Sequence, residues 1–412
     1  MSVVSCRANP VRFPGAPWLA VAAVLLVAAL VGCKSKSKPD EDLAKATPTG
    51  AETDTEKTAA EPEAGAAKTP AGVEAETAKA APEPEAGAAK TPAGAEAETA
   101  KAAPEPEAGA AKTSTQEERE AAIAAIEKLG GKVEADTSSP DQPVLVVGLA
   151  RTQVDDAGLE SLEKLPQVRV LSLEWTKVSD AGLEHLKGLT RLMTLNLVGT
   201  RVTDAGLLRL KGITSLRHLW LDYTKVTDAG LEHLKGLTQL QSLGLAGTGV
   251  TDVGLGHLKG LTELRSLFLY GDAVSDAGLQ NIKDLTKLET LALGMTKVTD
   301  KGLDYLKGLA SLQSLSLDAA ITDAGLESLK GLTKITRLDL ADTKVSDAGL
   351  QHLEGMTQLK ELLLDRTEVS DAGLEHLKGL SQLRRLGLRR TKVTAAGVSD
   401  LRKALPNVVV SQ

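Results

Sequence analysis

The residues that could carry chemistry in this chain begin with one histidine and one serine. The stretches LRHLWL (216–221) and LQSLGL (240–245) are copies of one motif, and His218 and Ser242 fill the same place in the two copies. If the copies are neighbouring parallel strands, about 4.8 Å apart, the two side chains can touch. A serine hydrolase also needs an orienting acid and an oxyanion hole. The nearest acid in the pattern, Asp222, lies roughly 13 Å along the strand, so the pattern does not favour a hydrolase.

The other histidines recur at one place in a second motif, GLxHL, and predict a solvated row on one helix face. A metal site would need two or more of them to converge with further ligands. The only cysteines, Cys6 and Cys33, stand near the N-terminus, which excludes thiolate sites and disulfides from the rest of the chain. No Gly-rich phosphate loop or dinucleotide fingerprint is present. We therefore expect no metal, no cofactor and no catalytic activity. The five histidines are His185, His233, His257, His352 and His376.

Cys33 stands in a context of its own. An apolar run, WLAVAAVLLVAALV (18–31), follows a segment that carries Arg7 and Arg12 but no acid, and the chain turns polar directly after Gly32 and Cys33. The run is short for a bilayer span but of the right length for the core of a signal peptide. The pattern around the cysteine resembles the lipobox of bacterial lipoproteins. An ordinary signal peptide and a short anchor helix are the alternatives.

The lipoprotein resemblance has three implications. Residues 1–32 are a signal peptide, Cys33 carries acyl chains such as palmitate, and the protein is anchored to a membrane of the bacterial cell envelope. Several acyl chains hold firmly, whereas a single chain binds only marginally. Lys34 stands where an Asp would favour retention at the inner membrane, so the outer membrane is favoured over the inner one.

Residues 33–113 are of low complexity. They contain three copies of a 22-residue unit, at 47–68, 69–90 and 91–112, and the third reads TPAGAEAETAKAAPEPEAGAAK. Such a composition cannot bury enough apolar surface to offset the entropy of the chain. It predicts a disordered tether that holds the rest of the protein away from a membrane. Contact of the tether with the cell wall through its lysines is an alternative.

From residue 144 onward the chain consists of eleven units of 24 residues, except for an eighth unit of 23. The shared pattern is LxxLxLxxTxVTDAGLxxLKGLTx. Its LxxLxL part predicts a half-buried strand, Thr/Ser-Asp predicts a helix N-cap, and AGLxxLK predicts two helical turns that the next Gly ends. Thr fills the ninth position in nine units. We expect its hydroxyl to bond to backbone groups of the adjacent turn, and stacking of the units to give a hydrogen-bonded ladder. The units begin at residues 144, 168, 192, 216, 240, 264, 288, 312, 335, 359 and 383.

This pattern resembles the leucine-rich repeat family over residues 144–410. The TDAGL signature is similar to the longer-period subclass of ribonuclease-inhibitor-like and F-box-type proteins. The resemblance implies an α/β solenoid with a parallel sheet on its concave side and short helices on its convex side. Residues 144–412 would form this domain together with a C-terminal cap, in which Ala395 replaces the usual Asp and VVV (408–410) adds a last partial strand. Residues 114–143 would cap the N-terminal end with a helix that starts at a capping box (115–118) and stops at Gly130.

Aromatic side chains concentrate on the expected concave face. We expect the third, fifth, seventh and eighth residues of each unit to face solvent there, while the first, fourth and sixth point inward. Five of the six aromatic residues in the units occupy those four positions, where random placement would put about one. An exposed aromatic patch is typical of a binding hot spot. The candidate partner-binding residues are Trp175, His218, Trp220, Asp222, Tyr223, Phe268, Tyr270 and Met295.

Packing of the aromatic side chains among themselves, beside small residues such as Gly244 or Gly271, is the alternative to binding. In units nine to eleven the same face becomes charged and suggests internal ion pairs first and a ligand site second. The net charge of −7 gives no indication of a nucleic-acid partner. The charged residues are Arg337, Asp339, Asp342, Asp365, Arg366, Arg385, Arg389 and Arg390.

These patterns together predict a non-catalytic, membrane-anchored scaffold that binds a macromolecule on its concave face. The ligand could be a protein, a glycan or a peptide, because repeat solenoids have many unrelated partners. An F-box-like substrate receptor or adaptor, or a ribonuclease-inhibitor-like inhibitory module, is the alternative. An F-box-type receptor would need a helical adaptor-binding domain upstream, where this chain has the expected signal peptide and tether.

Overall fold

The computed structural model describes residues 116–136 and 144–412. The expected signal peptide, Cys33 and the tether lie outside these described residues. The first element is the helix Gln116–Lys128, whose Ala122 and Ile126 are buried in the core shared with the first unit. The helix ends at Lys128, two residues before Gly130, which has a φ of +83°, so the two glycines stop it as predicted.

A parallel sheet forms the concave side of the repeat domain. In the described residues it has thirteen strands in chain order. Each pair from β3 to β12 is in register at equivalent positions of adjacent units, as for Trp220 and Gly244. β1 pairs antiparallel with β2, an N-terminal addition that the repeat pattern does not predict. The strands are β1 Lys132–Asp136, β2 Val144–Gly148, β3 Val168–Ser172, β4 Thr194–Asn196, β5 His218–Trp220, β6 Ser242–Gly244, β7 Ser266–Phe268, β8 Thr290–Ala292, β9 Ser314–Ser316, β10 Arg337–Asp339, β11 Glu361–Leu363, β12 Arg385–Gly387 and β13 Val409–Ser411.

Short α- and 3₁₀-helices form the convex side, and leucines from both sides fill the space between them. The leucines are fully buried in nearly every unit, as the GLxxLxxL spacing predicts. No helix of the described residues is long and apolar enough to cross a membrane. The convex helices are Ala157–Lys164, Gly182–Leu186, Asp204–Leu210, Asp228–Leu231, Glu232–Leu234, Asp252–Leu255, Gly256–Leu258, Asp276–Ile282, Asp300–Leu303, Asp304–Leu306, Asp323–Glu327, Asp347–Leu350, Gln351–Leu353, Asp371–Leu374, Glu375–Leu377 and Ala395–Ala404.

The TDAGL signature joins each unit to the next. From unit three onward its Thr or Ser is the N-cap, as predicted, as for Thr203, whose hydroxyl accepts the N–H of Ala205. Its Asp reaches across to the following unit. Asp204 accepts hydrogen bonds from the backbone N–H and the hydroxyl of Thr227, each at 2.7 Å. A methyl group on Gly230 would overlap the Asp204 carboxylate. We call this contact the Asp clamp, and it recurs from Asp156 through Asp371.

The two terminal units alter this clamp in opposite ways. The first unit has Asp155 in place of the Thr, and no earlier unit offers it a clamp. The last unit has Ala395 in place of the Asp, and no later unit needs one. Thr394 still donates to the clamp of Asp371 and caps the final helix. The altered residues therefore follow from the unpaired face at each end.

The ninth-position hydroxyl bonds to a backbone group of the turn, as expected, but it does not build a ladder between units. Thr224 Oγ1 donates to the carbonyl of Leu221 in its own unit at 2.6 Å, and seven other units repeat this bond. The hydroxyl thus closes the turn of its own unit because the sixth-position carbonyl is its nearest acceptor. The units are joined instead by the sheet and by the Asp clamp.

Candidate binding surface

The eighth residue of every 24-residue unit has a left-handed backbone. Its N–H commonly donates to a carbonyl of the following unit, as Tyr223 N–H does to Ala246 O at 2.8 Å. A side chain in this conformation costs about 1 kcal/mol or more, and glycine avoids the cost. The residues are Arg151, Trp175, Gly199, Tyr223, Gly247, Gly271, Met295, Asp342, Arg366 and Arg390.

The 23-residue unit departs from this rule. Its eighth residue, Ala319, is not left-handed. The Asp318 carboxylate accepts hydrogen bonds from the backbone N–H groups of Met295 and Ala319. For Met295 it takes the place of the backbone carbonyl that accepts this bond in other units. The strand register on both sides is kept. A local carboxylate therefore compensates for the deletion of one residue.

Three large apolar side chains project from the left-handed positions. Trp175, Tyr223 and Met295 are 50%, 41% and 62% exposed. The rings of Trp175 and Tyr223 are stacked, with centroids 6.1 Å apart and an interplanar angle of 26°. Trp175 lies over Gly199, and Tyr223 lies over Gly247, where a Cβ would come within 2.8 Å of its ring. We call Trp175, Tyr223 and Met295 the ridge. Its rings are held in place because a glycine of the next unit leaves room for each.

Two of the candidate aromatic residues are buried rather than exposed. Trp220 and Phe268 are 6% and 9% exposed, with ring centroids 5.3 Å apart. Trp220 lies over Gly244, where a Cβ would come within 2.6 Å of the ring. The expectation that all five aromatic side chains face solvent is therefore wrong for this pair. An aromatic ring at the fifth position can contact the fifth-position ring two units away when the fifth residue of the unit between them is glycine. This contact buries both rings.

Tyr270 and His218 are partly buried. Tyr270 lies over Gly294, and burial together with nearby carboxylates such as Asp318 raises the pKa of its hydroxyl. His218 Nδ1 lies 3.0 Å from Ser242 Oγ, so the expected contact is present. Burial, assisted by the charge of Arg217, lowers the pKa of His218 to about 4.

The geometry around His218 does not build a hydrolase site. Ser242 is only 6% exposed, which keeps its hydroxyl from a substrate. The acid on the same strand, Asp222, is bonded to Ala246 N–H rather than to the imidazole. A serine nucleophile needs an accessible hydroxyl and an acid-oriented base. His218 and Ser242 are therefore a hydrogen-bonded pair within the wall of the solenoid.

Asp222 is fully buried, so its assignment as a residue that contacts a partner is wrong for this structure. One carboxylate oxygen accepts the N–H of Ala246 at 2.9 Å, and the other has no hydrogen-bond partner in the described residues. The unpartnered oxygen lies against Gly244, under the edge of the Trp220 ring. Burial raises the pKa of Asp222 to about 7. The aromatic cover explains this burial because it excludes water from the carboxylate.

Asp272 is a second buried acid, which the repeat pattern did not single out. It replaces the ninth-position Thr in unit six and accepts the N–H and hydroxyl of Thr248 at 3.0 and 3.3 Å. Its other oxygen has no partner in residues 116–136 and 144–412. Burial, with a contribution from the charge of Asp222, raises its pKa to about 8. Because the ninth position is Thr in nine units, the aspartate at this position in unit six was the sequence signal for a buried acid.

The convex histidines are half-buried rather than fully solvated, and two of them bond to a glutamate of the preceding unit. His185 Nδ1 lies 2.7 Å from Glu163, and His376 Nδ1 lies 2.7 Å from Glu354. Across the described ranges no three His, Cys, Asp or Glu residues come together as a metal ligand set. These histidines therefore add contacts between units on the convex side.

The predicted ion pairs in the C-terminal units are confirmed. Arg337 and Arg385 flank Glu361, at 2.5 and 2.7 Å from the same carboxylate oxygen. Arg366 forms a bidentate pair with Asp342. In units nine to eleven these two groups of ion pairs neutralise part of the charge on this face, while Asp339 and Asp365 accept backbone N–H bonds instead.

Comparison with known proteins finds the leucine-rich repeat. The family model for the leucine-rich repeat matches residues 331–353. An internalin from Listeria monocytogenes is 21% identical, covering 71% of this chain and 93% of its own, with a TM-score of 0.46. A leucine-rich-repeat protein from Leptospira interrogans is 17% identical, covering 61% of this chain and 80% of its own, with a TM-score of 0.42. Internalin C2 of Listeria monocytogenes is 25% identical, covering 58% of this chain and 84% of its own, with a TM-score of 0.36. No curated protein matches the sequence.

Proposed function

We propose that this protein is a non-catalytic binding module that recognises a protein partner through the ridge and is held at a bacterial envelope membrane by acyl chains on Cys33. Stacked repeats present long, rigid surfaces on which separate side chains can contact one ligand. The ridge provides such a surface, with rings already positioned before a partner arrives.

The observation that carries the proposal is the pair Trp175 and Tyr223. Both side chains have a left-handed backbone that costs stability, and both expose a large ring to water. The equivalent positions in units three, five and six are glycine, so the fold itself does not require these rings. Strained positions that carry exposed aromatic side chains mark binding sites more often than structural ones.

Crosslinking from the ridge tests the binding proposal. A photoreactive phenylalanine analogue replaces Tyr223 in the full chain in intact cells, and we expect a discrete adduct with a protein. Trp175→Gly in the same chain should reduce this adduct at least roughly fivefold, because glycine keeps the left-handed backbone but removes the stacked ring. The analogue at Leu208, which is 53% exposed on the convex side, is the matched control. Equal adducts from positions 223 and 208 would refute a role for the ridge.

The anchor is tested separately. Cys33→Ser should abolish incorporation of labelled palmitate and release the chain from washed membranes, while the repeat domain stays folded. The proposed location, with the outer membrane favoured over the inner one, is checked by separating the two membranes on a density gradient. Continued labelling of the Cys33→Ser variant would refute acylation at this position.

A further inference from the structure

A row of three cations lies beside the ridge. Lys177, Arg201 and Lys225 occupy the tenth position of units two, three and four, two residues beyond the ridge position in each unit. All three are exposed, and none has an ion-pair partner within the part of the chain that the structure describes. Adjacent units are about 4.8 Å apart, so three like charges at this spacing repel one another.

In the C-terminal units, two cations at the tenth and eighth positions pair with a carboxylate of the preceding unit, and we call the stacked residues of each position a column. In the tenth-position column Lys392 lies 3.4 Å from Glu368 of the preceding unit. In the eighth-position column Arg366 pairs with Asp342 of the preceding unit. Each of these cations thus has a carboxylate one unit away. In units two to four the chain supplies no such carboxylate, so this stretch is complementary to an external anion.

A recess lies within the ridge, between Tyr223 and Met295. Units five and six have only small residues in both columns, and all of them are exposed. A Cβ built on Gly271 meets no atom nearer than the Gly247 nitrogen, at 3.9 Å. Because Tyr223 already lies over Gly247, the room for a ligand side chain is over Gly271, between the exposed side chains of Tyr223 and Met295. The small residues are Gly247, Gly249, Gly271 and Ala273.

We infer that the ridge binds an acidic polypeptide segment lying across the units, with its carboxylates on Lys177, Arg201 and Lys225 and an apolar side chain in the recess. The inference rests on the proposed protein-binding function and names the chemistry of the partner. The ridge spans five unit spacings, roughly 24 Å, which an extended segment of about seven residues covers at about 3.3 Å per residue. Apolar contacts in one narrow line suit such a segment better than a broad membrane surface.

The binding test uses the full chain in detergent and a fluorescein-labelled dodecapeptide of alternating Glu and Leu residues, followed by fluorescence anisotropy. The matching Lys/Leu peptide, anionic phosphatidylglycerol vesicles and an oligogalacturonate are the competing probes. We expect the acidic peptide to bind tightest, with an affinity that falls as salt rises from about 20 to about 300 mM because exposed ion pairs are screened.

Charge reversal supplies the decisive comparison. The triple variant Lys177→Glu, Arg201→Glu, Lys225→Glu should weaken binding of the acidic peptide about tenfold or more, since each exposed pair contributes modestly. A triple variant with the same net charge, Lys211→Glu, Lys235→Glu, Lys259→Glu, changes three convex lysines and should stay within about twofold of wild type. The neutral triple Lys177→Gln, Arg201→Gln, Lys225→Gln should fall in between, and thermal melting checks that each variant is folded.

Three results would overturn the inference. They are equal weakening by the two charge-reversed variants, no binding of the acidic peptide by wild type, or tighter binding of the vesicles or the oligogalacturonate that depends on the same three cations. The Tyr223 crosslink distinguishes this failure from failure of the proposed function. If the adduct needs Trp175 but survives reversal of the three cations, the ridge still binds a protein, and only the acidic character of the partner is wrong.

Discussion

The two halves of each unit differ in whether their carboxylates have hydrogen-bond partners. In the convex half, each Asp clamp joins two donors of the next unit, and the adjacent glycine leaves room for its carboxylate. In the strand and turn half, Asp222 and Asp272 each bury an oxygen without a partner among the described residues, and Trp175 exposes a ring from a left-handed backbone. Stacking requires the first arrangement but not the second. Groups that reduce stability and are nevertheless present are the ones most readily explained by binding.

Units four and ten show the same difference at one position. Asp222 and Asp365 both accept the N–H of the seventh residue in the next unit, and both lie against a fifth-position glycine. Trp220 covers Asp222, whereas the fifth residue of unit ten is Leu363, and Asp365 keeps partial contact with water. The aromatic cover, rather than the hydrogen bond, therefore separates a buried acid from a solvated one.

The largest expected effect concerns pH. Asp222 and Asp272 have folded-state pKa values of about 7 and about 8, above the ordinary value of 3.8. The folded protein therefore retains protons that the unfolded chain has released. The stability contributed by the two acids is complete below about pH 4 and is lost as pH rises through about 7 to 8. Asp222→Asn should reduce the loss between about pH 5 and about pH 9 by up to roughly 3 kcal/mol.

Urea unfolding at a series of pH values measures this effect, with Asp365→Asn as the matched control, because it replaces an acid that accepts the same hydrogen bond where no aromatic ring covers the acid. Acids such as Asp342, whose ion pair with Arg366 lowers its pKa, titrate below this window. His218, whose pKa is lowered to about 4, acts in the opposite direction below about pH 6.5, so the effect of Asp222 is measured as the difference between wild type and Asp222→Asn. A pH profile of Asp222→Asn that coincides with that of wild type would contradict the assignment of Asp222.

A smaller effect is expected in the convex half, where a substitution at a clamp glycine introduces a steric overlap. Gly230→Ala should destabilise the protein by about 2 kcal/mol, because the new methyl group overlaps the Asp204 carboxylate. Gly236→Ala is the matched control, since nothing lies within 4 Å of its Cβ position, and should change stability by less than about 1 kcal/mol. Urea unfolding of the two variants measures the difference.

A double-mutant cycle identifies the cause of the Gly230 effect. Asp204→Ala alone should cost about 1–3 kcal/mol, because it leaves the Thr227 donors without their acceptor. In the combined variant the overlap is gone, so the combined loss should be smaller than the sum of the two single losses. Strict additivity would show that Gly230 is required for a reason other than the clamp.

The smallest effect separates backbone strain from side-chain packing at the ridge. Met295→Gly should raise the stability by about 0.5 kcal/mol, because a left-handed side chain is replaced by the residue that adopts this conformation freely. Met295 is 62% exposed, so little packing is lost. Ala319→Gly, at the equivalent position without a left-handed backbone, should lower the stability slightly. Thermal melting of both variants checks the opposite signs.

Much of the repeat fold could be predicted from sequence because the same sequence pattern recurs in every unit. The sequence predicted the strand pattern, the Thr or Ser cap, the helix stop and the alteration at Ala395. The contact that the TDAGL aspartate makes with the next unit could not be predicted, because its partner lies 23 residues away along the chain. The last strand starts at Val409, one residue later than expected.

The sequence by itself determined the period, the buried leucines and the concentration of aromatic residues in the strand and turn half of units two to six. Only the tertiary structure decided that Tyr223 projects into solvent while Trp220, three residues earlier, is covered. The physical reason is that exposure depends on residues one and two units away. Gly244 lets the Trp220 ring contact the Phe268 ring, at an interplanar angle of 46°, whereas the left-handed backbone at Tyr223 turns its ring outward onto Gly247.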